Sequence, residues 1–271
     1  MKYIFIVLLF LFFNQVIMSQ LSNNFLIKEK FYFEVGQIEE FIERFNFEGE
    51  TKLLSYLKIN QPNLEISRLD FLYTLFITYE ITSDKSLAHA FINYVNDSVN
   101  PQYLDFYDND WYAEVSCIFE FNGNTDTGKL ILKNQFNADS SSKWVITGVR
   151  SDLLKMPNSK DSLQILSPVS HGTDFIALYN ILHDGENIQN YITNDYTLDT
   201  LTYFMSLVHF NKIKLKQIYK VKYHFLQIPK WIFTVEYFNR KDLNSGWLIS
   251  DLIRINMEEK ENYKTGILKI Y

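Results

Sequence analysis

The chain has a single cysteine, Cys117, among 271 residues. A lone thiol closes no internal disulfide, so core packing has to hold the fold without covalent staples. Basic charge is in deficit: 26 Lys and Arg stand against 32 Asp and Glu, a formal net charge of −6. That balance disfavours nucleic acid, whose binding is driven by counterion release onto cationic proteins. The apolar run at the start, Tyr3 to Phe13, breaks at Asn14, well short of the roughly 20 residues a membrane crossing needs. There is no Gly-x-Ser-x-Gly elbow, no glycine-rich phosphate loop and no Walker pattern, which removes the common hydrolase and nucleotide-binding signatures. The five histidines, His89, His171, His183, His209 and His224, lack the paired spacing of a zinc site on one helix. Neither a metal nor a cofactor is expected.

What the N-terminus does contain is Lys2, the apolar run, and a polar exit Asn14-Gln15 leading to the small residue Ser19. This is the architecture of a bacterial-type secretory signal over residues 1–19. Cleavage near Ser19 and export to the periplasm or the exterior are expected, with no stable membrane span afterwards. The alternative is an uncleaved anchor extended through Val16-Ile17-Met18. No cysteine sits at the exit, so lipid attachment there is excluded. Removing Lys2 makes the remaining chain more acidic by one charge. Aromatic residues reach 17%, and two readings stay open: a compositional bias, or tyrosine-rich core edges and pockets in which hydroxyls need partners.

Along the remaining chain the periodicity is first helical. Ile38, Phe41, Ile42 and Phe45 share one face while Glu39, Glu40, Glu43 and Arg44 occupy the other, with an end expected near Gly49. Ser67 and Asp70 form a variant capping box that starts a buried helix reaching to Tyr79. A third helix after Ser83-Asp84, with Leu87, Phe91, Ile92 and Val95 inward, stops before Pro101. The period then changes to two. Ala113 to Phe121 alternates with Cys117 pointing inward, a turn follows at 122–128, and Lys129 to Phe136 and Trp144-Val145-Ile146 complete an antiparallel meander.

Pro157, Pro168 and several serines mark a linker at 154–170. Thr173 then caps a helix with Phe175, Leu178 and Leu182 inward and Gly185 as its terminator. Another helix carries Leu198, Leu201, Phe204, Met205 and Val208. In the second meander Tyr219, Val221, Tyr223 and Phe225 alternate with Lys220, Lys222 and His224, so that His224 belongs to the wet face. If Ile228-Pro229-Lys230 forms the loop, parity sets Tyr223 opposite Val235 and Lys222 opposite Glu236. The aromatic row Tyr219, Tyr223, Trp231 and Tyr237 then supports two readings: core filled by helices 173–183 and 198–210, or an aromatic-lined pocket.

Each half ends on the same short signature, Phe136-Asn137 before Trp144-Val145-Ile146 and Phe238-Asn239 before Trp247-Leu248-Ile249. With helices before a meander in both halves, the pattern predicts a duplication. This layout resembles the nuclear-transport-factor-like superfamily, which includes ketosteroid isomerases and SnoaL-type cyclases. The resemblance implies an α+β fold of two tandem cone-like domains, 28–153 and 171–271, each with helices against a curved antiparallel sheet. In that superfamily the cone mouth holds a ligand, an active site or a partner. The isomerases combine a carboxylate base with a tyrosine and a second acid, and no spacing here matches those positions.

Other constellations have bland explanations. The stretch Asp105 to Asp110 lacks the glycine and closing glutamate of an EF-hand and reads as a solvated loop. Cys117, on a packed face, is a poor nucleophile. The expected role is binding rather than catalysis, through Tyr219, Tyr223, Trp231 and Tyr237, toward a small molecule or a protein. An isomerase-like or cyclase-like enzyme, and an acidic inhibitor or immunity-type protein, are the alternatives.

Overall fold

The computed structural model describes residues 33–49, 51–76, 85–137, 141–154, 199–240 and 245–270, with positions 178–180, 182, 183, 191 and 193. The expected signal segment 1–19, nearly all of the linker 154–170, and both ends of the helix expected from Thr173 to Gly185 lie outside the described residues. So do residues 77–79, the expected end of the Tyr79 helix.

The fold is α+β. Helices α1 (Ile38–Asn46), α2 (Lys52–Asn60), α3 (Arg68–Thr74) and α4 (Lys85–Val95) precede strands β1 (Trp111–Phe121), β2 (Asn124–Phe136) and β3 (Ser142–Ser151). Helix α5 (Thr200–His209), strands β4 (Ile213–Phe225), β5 (Trp231–Phe238) and β6 (Gly246–Arg254), helix α6 (Met257–Asn262) and a π-helical turn at Tyr263–Leu268 follow. The six strands make one antiparallel sheet in the order β3-β2-β1-β4-β5-β6.

Local chemistry sets most of these boundaries. Ser67 accepts from the Asp70 amide while Asp70 accepts from the Ser67 amide at 2.9 Å, so the expected capping box starts α3. Asn122 and Gly123 take φ of 50° and 79°, the two left-handed positions of a type I′ turn, and β2 begins at once. The seven-residue turn expected at 122–128 is therefore a two-residue one. Helix α1 ends at Asn46, earlier than Gly49, because Phe47 adopts φ 60° and the Glu48 amide donates back to the Glu43 carbonyl at 3.0 Å. Helix α3 also stops early. Its apolar continuation leaves the helix to shield the sheet edge: Phe76 bridges Ile249 in parallel, and the Ile249 amide donates to the Leu75 carbonyl at 2.7 Å.

Two compact units result: Met1–Ser116, Leu130–Thr147 and Tyr219–Tyr271 form one, and Cys117–Lys129 with Gly148–Ile218 form the other. This division differs from the expected one at 154–170. In the first unit the β4–β6 face is covered by α1, α3 and α4, whereas helices 173–183 and 198–210 were expected to fill it. The contacts are mainly aromatic. Phe41 stacks on Phe225 at 5.7 Å, Phe45 on Phe233 at 6.0 Å, and Phe91 meets Trp231 edge-on at 5.3 Å. Each fully buried phenylalanine contributes about 1.5–3 kcal/mol, so this layer is the main source of stability. In the second unit, Phe204 of α5 packs edge-on against Phe119 at 5.6 Å.

Two arginines tie the helices of the first unit together. Arg44, expected on the outer polar face, is fully buried. It donates to the Phe33 and Glu34 carbonyls at 2.7 and 2.9 Å and pairs with Glu40 at 2.6 Å. Burial lowers its pKa against the raising influence of Glu40. Arg68 donates to the Phe45, Val95 and Gln102 carbonyls, at 2.9, 2.8 and 2.5 Å. It thereby caps the C-terminal ends of α1 and α4, whose last carbonyls have no partner within their helices.

Part of the opposite face of the sheet is dry as well. Tyr112, Ile131, Leu226, Ile232 and Leu268 form a second core there. Asn256 and Glu259 make a capping box for α6, and Lys260 of that helix reaches the Leu226 and Ile228 carbonyls at 2.5 and 3.2 Å. His224, expected on a wet face, is consequently 3% exposed.

Candidate functional site

A groove of about 570 Å³ runs between one face of α1 and residues 103–107, both in the first unit. Its charged lining consists of Glu39, Glu43, Glu48 and Asp105, and no cationic side chain is among its lining residues. Glu39 and Glu43 stand four apart on one helix face, a like-charge spacing that costs about 0.2–0.5 kcal/mol in an isolated helix. Rings complete the lining. Tyr103 and Tyr107 are exposed, and Phe106 is half-buried.

The wall opposite α1 is held by side chains distant in sequence. Buried Asn46 both accepts from the Leu104 amide and donates to the Leu104 carbonyl, each at 2.8 Å. From the other side Gln227 makes the equivalent pair with the Asp105 amide and carbonyl, again at 2.8 Å each. Arg68 takes the Gln102 carbonyl and lies 4.3 Å over the Tyr103 ring. Three anchored residues in succession make this a preorganised wall, so the groove requires little ordering before a partner binds.

Phe106 connects the groove to an aromatic network. Its ring lies 5.4 Å from Trp111, whose indole donates to the Phe106 carbonyl at 3.1 Å. Beyond Trp111 come Trp144 at 5.0 Å and Tyr223 at 5.8 Å, then Trp247 at 4.9 Å from Tyr223, then Tyr237 at 5.5 Å from Trp247.

The four residues of the expected aromatic row are thus distributed. Trp231 is core, 2% exposed. Tyr223 is half-buried inside the network, and burial raises its pKa. Tyr237 is half-exposed and donates to Glu34 Oε1 at 2.6 Å; that hydrogen bond is the main reason its pKa is raised. Tyr219, midway along β4, is exposed. The groove brings together residues that sequence reasoning did not select. The acidic and aromatic composition of 103–110 was visible, but the apposition to α1 rests on Asn46 and Leu104, which are 58 positions apart.

The carboxylates of the 105–110 loop are mostly used by the loop itself. Asp105 Oδ1 accepts from the Tyr107 amide and Asp108 Oδ1 from the Asp110 amide, at 2.7 and 2.6 Å. Asp110 pairs with Lys264 at 2.9 Å. Among the described residues no three metal-ligating side chains come together.

An acid–base constellation also exists on the second sheet face. His224 Nδ1 lies 2.8 Å from the Tyr263 hydroxyl, and His224 Nε2 lies 3.8 Å from Glu114 Oε2. Burial raises the Tyr263 pKa, with Glu114 and Asp251 adding to the rise. Beside it Glu236 pairs with Lys220 and, at 2.7 Å, with Lys222. Burial pushes the Glu236 carboxyl up, but the hydrogen bonds and charges of both lysines outweigh it and hold the pKa below its ordinary value. The trio is enclosed: His224 and Glu114 side chains are 4% and 6% exposed. Cys117 is buried too, and burial raises its thiol pKa, so it is not poised as a thiolate. No family model, no curated protein and no solved structure matches this chain.

Proposed function

We propose that this is an exported, non-enzymatic binding protein that takes a cationic segment of a protein partner in the groove between α1 and residues 103–107. The observation carrying this reading is the groove's lining, four carboxylates and three rings on a braced wall, with no cationic side chain among the lining residues and Arg68 over one face of the Tyr103 ring. Arginine or lysine side chains suit it in two ways, pairing with carboxylates and stacking on tyrosine faces. The acidic net charge of −6 favours encounter with a basic partner.

Export rests on the N-terminal run Tyr3 to Phe13 and its polar exit. Among the described residues no helix is long and apolar enough to cross a membrane. The nuclear-transport-factor-like reading is part of the same proposal. It draws support from the layout of the first unit, in which three helices lie on one face of an antiparallel sheet. Duplication draws support from the strand order, in which each three-stranded meander runs outward from the central β1–β4 pair.

The test is calorimetric titration of the exported chain with an arginine- and tyrosine-containing peptide, against its Arg→Glu counterpart. Binding to the basic peptide alone, weakened by salt, supports the reading. Each of Glu39→Gln and Glu43→Gln should weaken it about 1.5- to 5-fold, the range for exposed ion pairs. Equal affinity for both peptides, or no loss in the double variant, would sink it.

A further inference from the structure

A second cavity of the first unit, about 320 Å³ in volume, lies between α2, the connection that follows it, and α3. Its apolar walls are Leu53 and Leu57 of α2, Leu64 and Ile66 of the connection, Phe71 of α3, and Phe33. Leu53 and Phe71 are 1% and 2% exposed whereas Leu64 is 51% exposed, so the cavity runs from the core to the surface. Each wall is fixed locally. Thr51 accepts from the Leu54 amide at 3.2 Å to start α2, the Leu64 amide donates to the Gln61 carbonyl at 3.0 Å, and Arg44 holds the Phe33 carbonyl at 2.7 Å. A preformed, mostly apolar cavity of this size with a few polar groups is the usual form of a small-molecule site.

We propose that this cavity binds a small primary amine with an apolar body, the body inward against Leu53 and Phe71 and the ammonium at the rim. The polar lining selects the sign of the head group. Its ionisable members are Glu65 and Asp70, both exposed, and no cationic side chain is among the described lining residues. Asp70 is a fixed anion. Its Oδ2 accepts from the Ser67 hydroxyl and amide at 2.6 and 2.9 Å, and those bonds hold its pKa below the ordinary value. Its Oδ1 accepts no hydrogen bond from another residue among the described ones, which leaves one carboxylate oxygen for a ligand. Arg68, the cation nearest to Asp70 in sequence, is committed to the Phe45, Val95 and Gln102 carbonyls. Thr74 uses its hydroxyl on the Phe71 carbonyl at 2.6 Å. Size sets the body: a cavity of about 150 Å³ accepts benzene, so this one accommodates a ring with a short tail.

Phenethylamine, phenethyl alcohol and hydrocinnamate share a ring and a short tail and differ in the charge of the head group. Each is titrated into the isotope-labelled chain and followed by amide NMR. For ligands this small the expected dissociation constant is about 1 mM. The amine should shift the amides of Leu53, Leu57, Leu64 and Phe71 and bind about 1.5- to 5-fold more tightly than the alcohol, the range for an exposed ion pair, with the carboxylate weakest. Glu65→Gln combined with Asp70→Asn should erase that preference and leave the alcohol's affinity unchanged, because an asparagine oxygen still accepts the bonds that start α3.

Leu64→Trp enlarges a side chain that is already half in solvent and should block all three probes. Binding to Leu64→Trp as tight as to the wild type, equal affinity for the three probes, or no shift of the cavity amides at about 20 mM, well above the expected constant, overturns the proposal. The groove between α1 and residues 103–107 is also acidic and aromatic, so the sites are separated by the double variant Glu39→Gln with Glu43→Gln. The cavity shifts should persist in it. Shifts confined to the groove residues and lost in that variant would overturn the cavity site and leave the groove reading standing.

Discussion

Gly246 is the position where one added methyl group has the largest calculable effect. Its φ is +90°, and a Cβ placed there would lie 2.1 Å from the Val35 carbonyl oxygen and 2.8 Å from the Val35 nitrogen. Those contacts are with backbone, so no rotamer change relieves them. In Gly246→Ala the Val35 bridge has to open, which gives up the Val35 amide to the Ser245 carbonyl at 3.0 Å and the Trp247 amide to the Val35 carbonyl at 2.9 Å. Two such bonds are worth about 0.5–1.5 kcal/mol each net. Non-glycine strain at positive φ adds about 1–3 kcal/mol, and exposing the fully buried Val35 side chain about 1.5–3. Partial relaxation leaves an expected loss of about 3–5 kcal/mol, a large part of a typical domain's 5–15. Gly49→Ala is the internal control. Its φ is +73° and nothing lies within 4 Å of the added carbon, so it should cost only the strain, about 1–2 kcal/mol. Urea titration followed by tryptophan fluorescence measures both, Trp247 being the neighbouring reporter. If Gly246→Ala lies within 1 kcal/mol of Gly49→Ala, the pairing of Val35 on the β6 edge does not exist in solution and the argument is refuted.

Asn46→Ala should remove about 2–4 kcal/mol, because the Leu104 amide and carbonyl lose their buried partner together, and it should weaken basic-peptide binding by loosening the groove wall; urea titration and calorimetry read the two effects. Tyr263→Phe takes the hydroxyl from His224 and should cost about 1–3 kcal/mol, with faster amide exchange confined mainly to residues 257–268. Glu236→Gln tests linkage. The folded-state pKa of Glu236 is depressed, so its stabilising contribution is present above the ordinary carboxylate range and is lost as pH falls through the folded value. The stability gap between wild type and Glu236→Gln should therefore narrow steadily below about pH 4.5, and a gap independent of pH from 7 to 3 would contradict the pairing with Lys220 and Lys222.

What was legible in the chain was legible locally. Parity and a Pro-containing loop were enough to set Tyr223 opposite Val235 and Lys222 opposite Glu236, and both pairs occur. Ser67 and Asp70 announced α3 by their capping chemistry, and Pro101 bounded α4. Cys117 pointed inward because its strand alternates, and it is buried. The failures have a common cause in partners that are remote in sequence. Arg44 looks like a surface residue until the 33–35 segment folds back over it. The Leu75–Phe76 stretch continues a helical pattern until a sheet edge competes for its backbone. Helix α2 went unread because Leu53, Leu54 and Leu57 make only a weak stripe. Helix α6 carries a local signal, the Asn256 and Glu259 capping box, and it is the segment from this helix onward that buries His224, while Lys220 and Lys222 of the same row keep their access to solvent. The second meander was matched with the second-half helices by proximity in sequence, whereas the first-half helices bring the Phe41, Phe45 and Phe91 rings that fit against Phe225, Trp231 and Phe233.

The distribution of polar chemistry between the faces of the first unit favours the proposed binding role over catalysis. Acid–base catalysis needs a carboxylate, a histidine or a tyrosine within hydrogen-bond reach of substrate. His224 and Tyr263 are in hydrogen-bond contact and Glu114 stands 3.8 Å from His224 Nε2, yet the group is enclosed between the sheet and the C-terminal segment, which is fastened by Lys260 to the Leu226 and Ile228 carbonyls and by Lys264 to Asp110. Those fastenings make the trio a structural joint between the sheet and the C-terminal segment. On the groove side the groups run the other way. The carboxylates are exposed, the rings are unfilled by helix, and the rigidity resides in the backbone wall behind them. Such a surface has little means of activating a bond but is well suited to holding a charged side chain, because its preorganisation lies where a partner arrives.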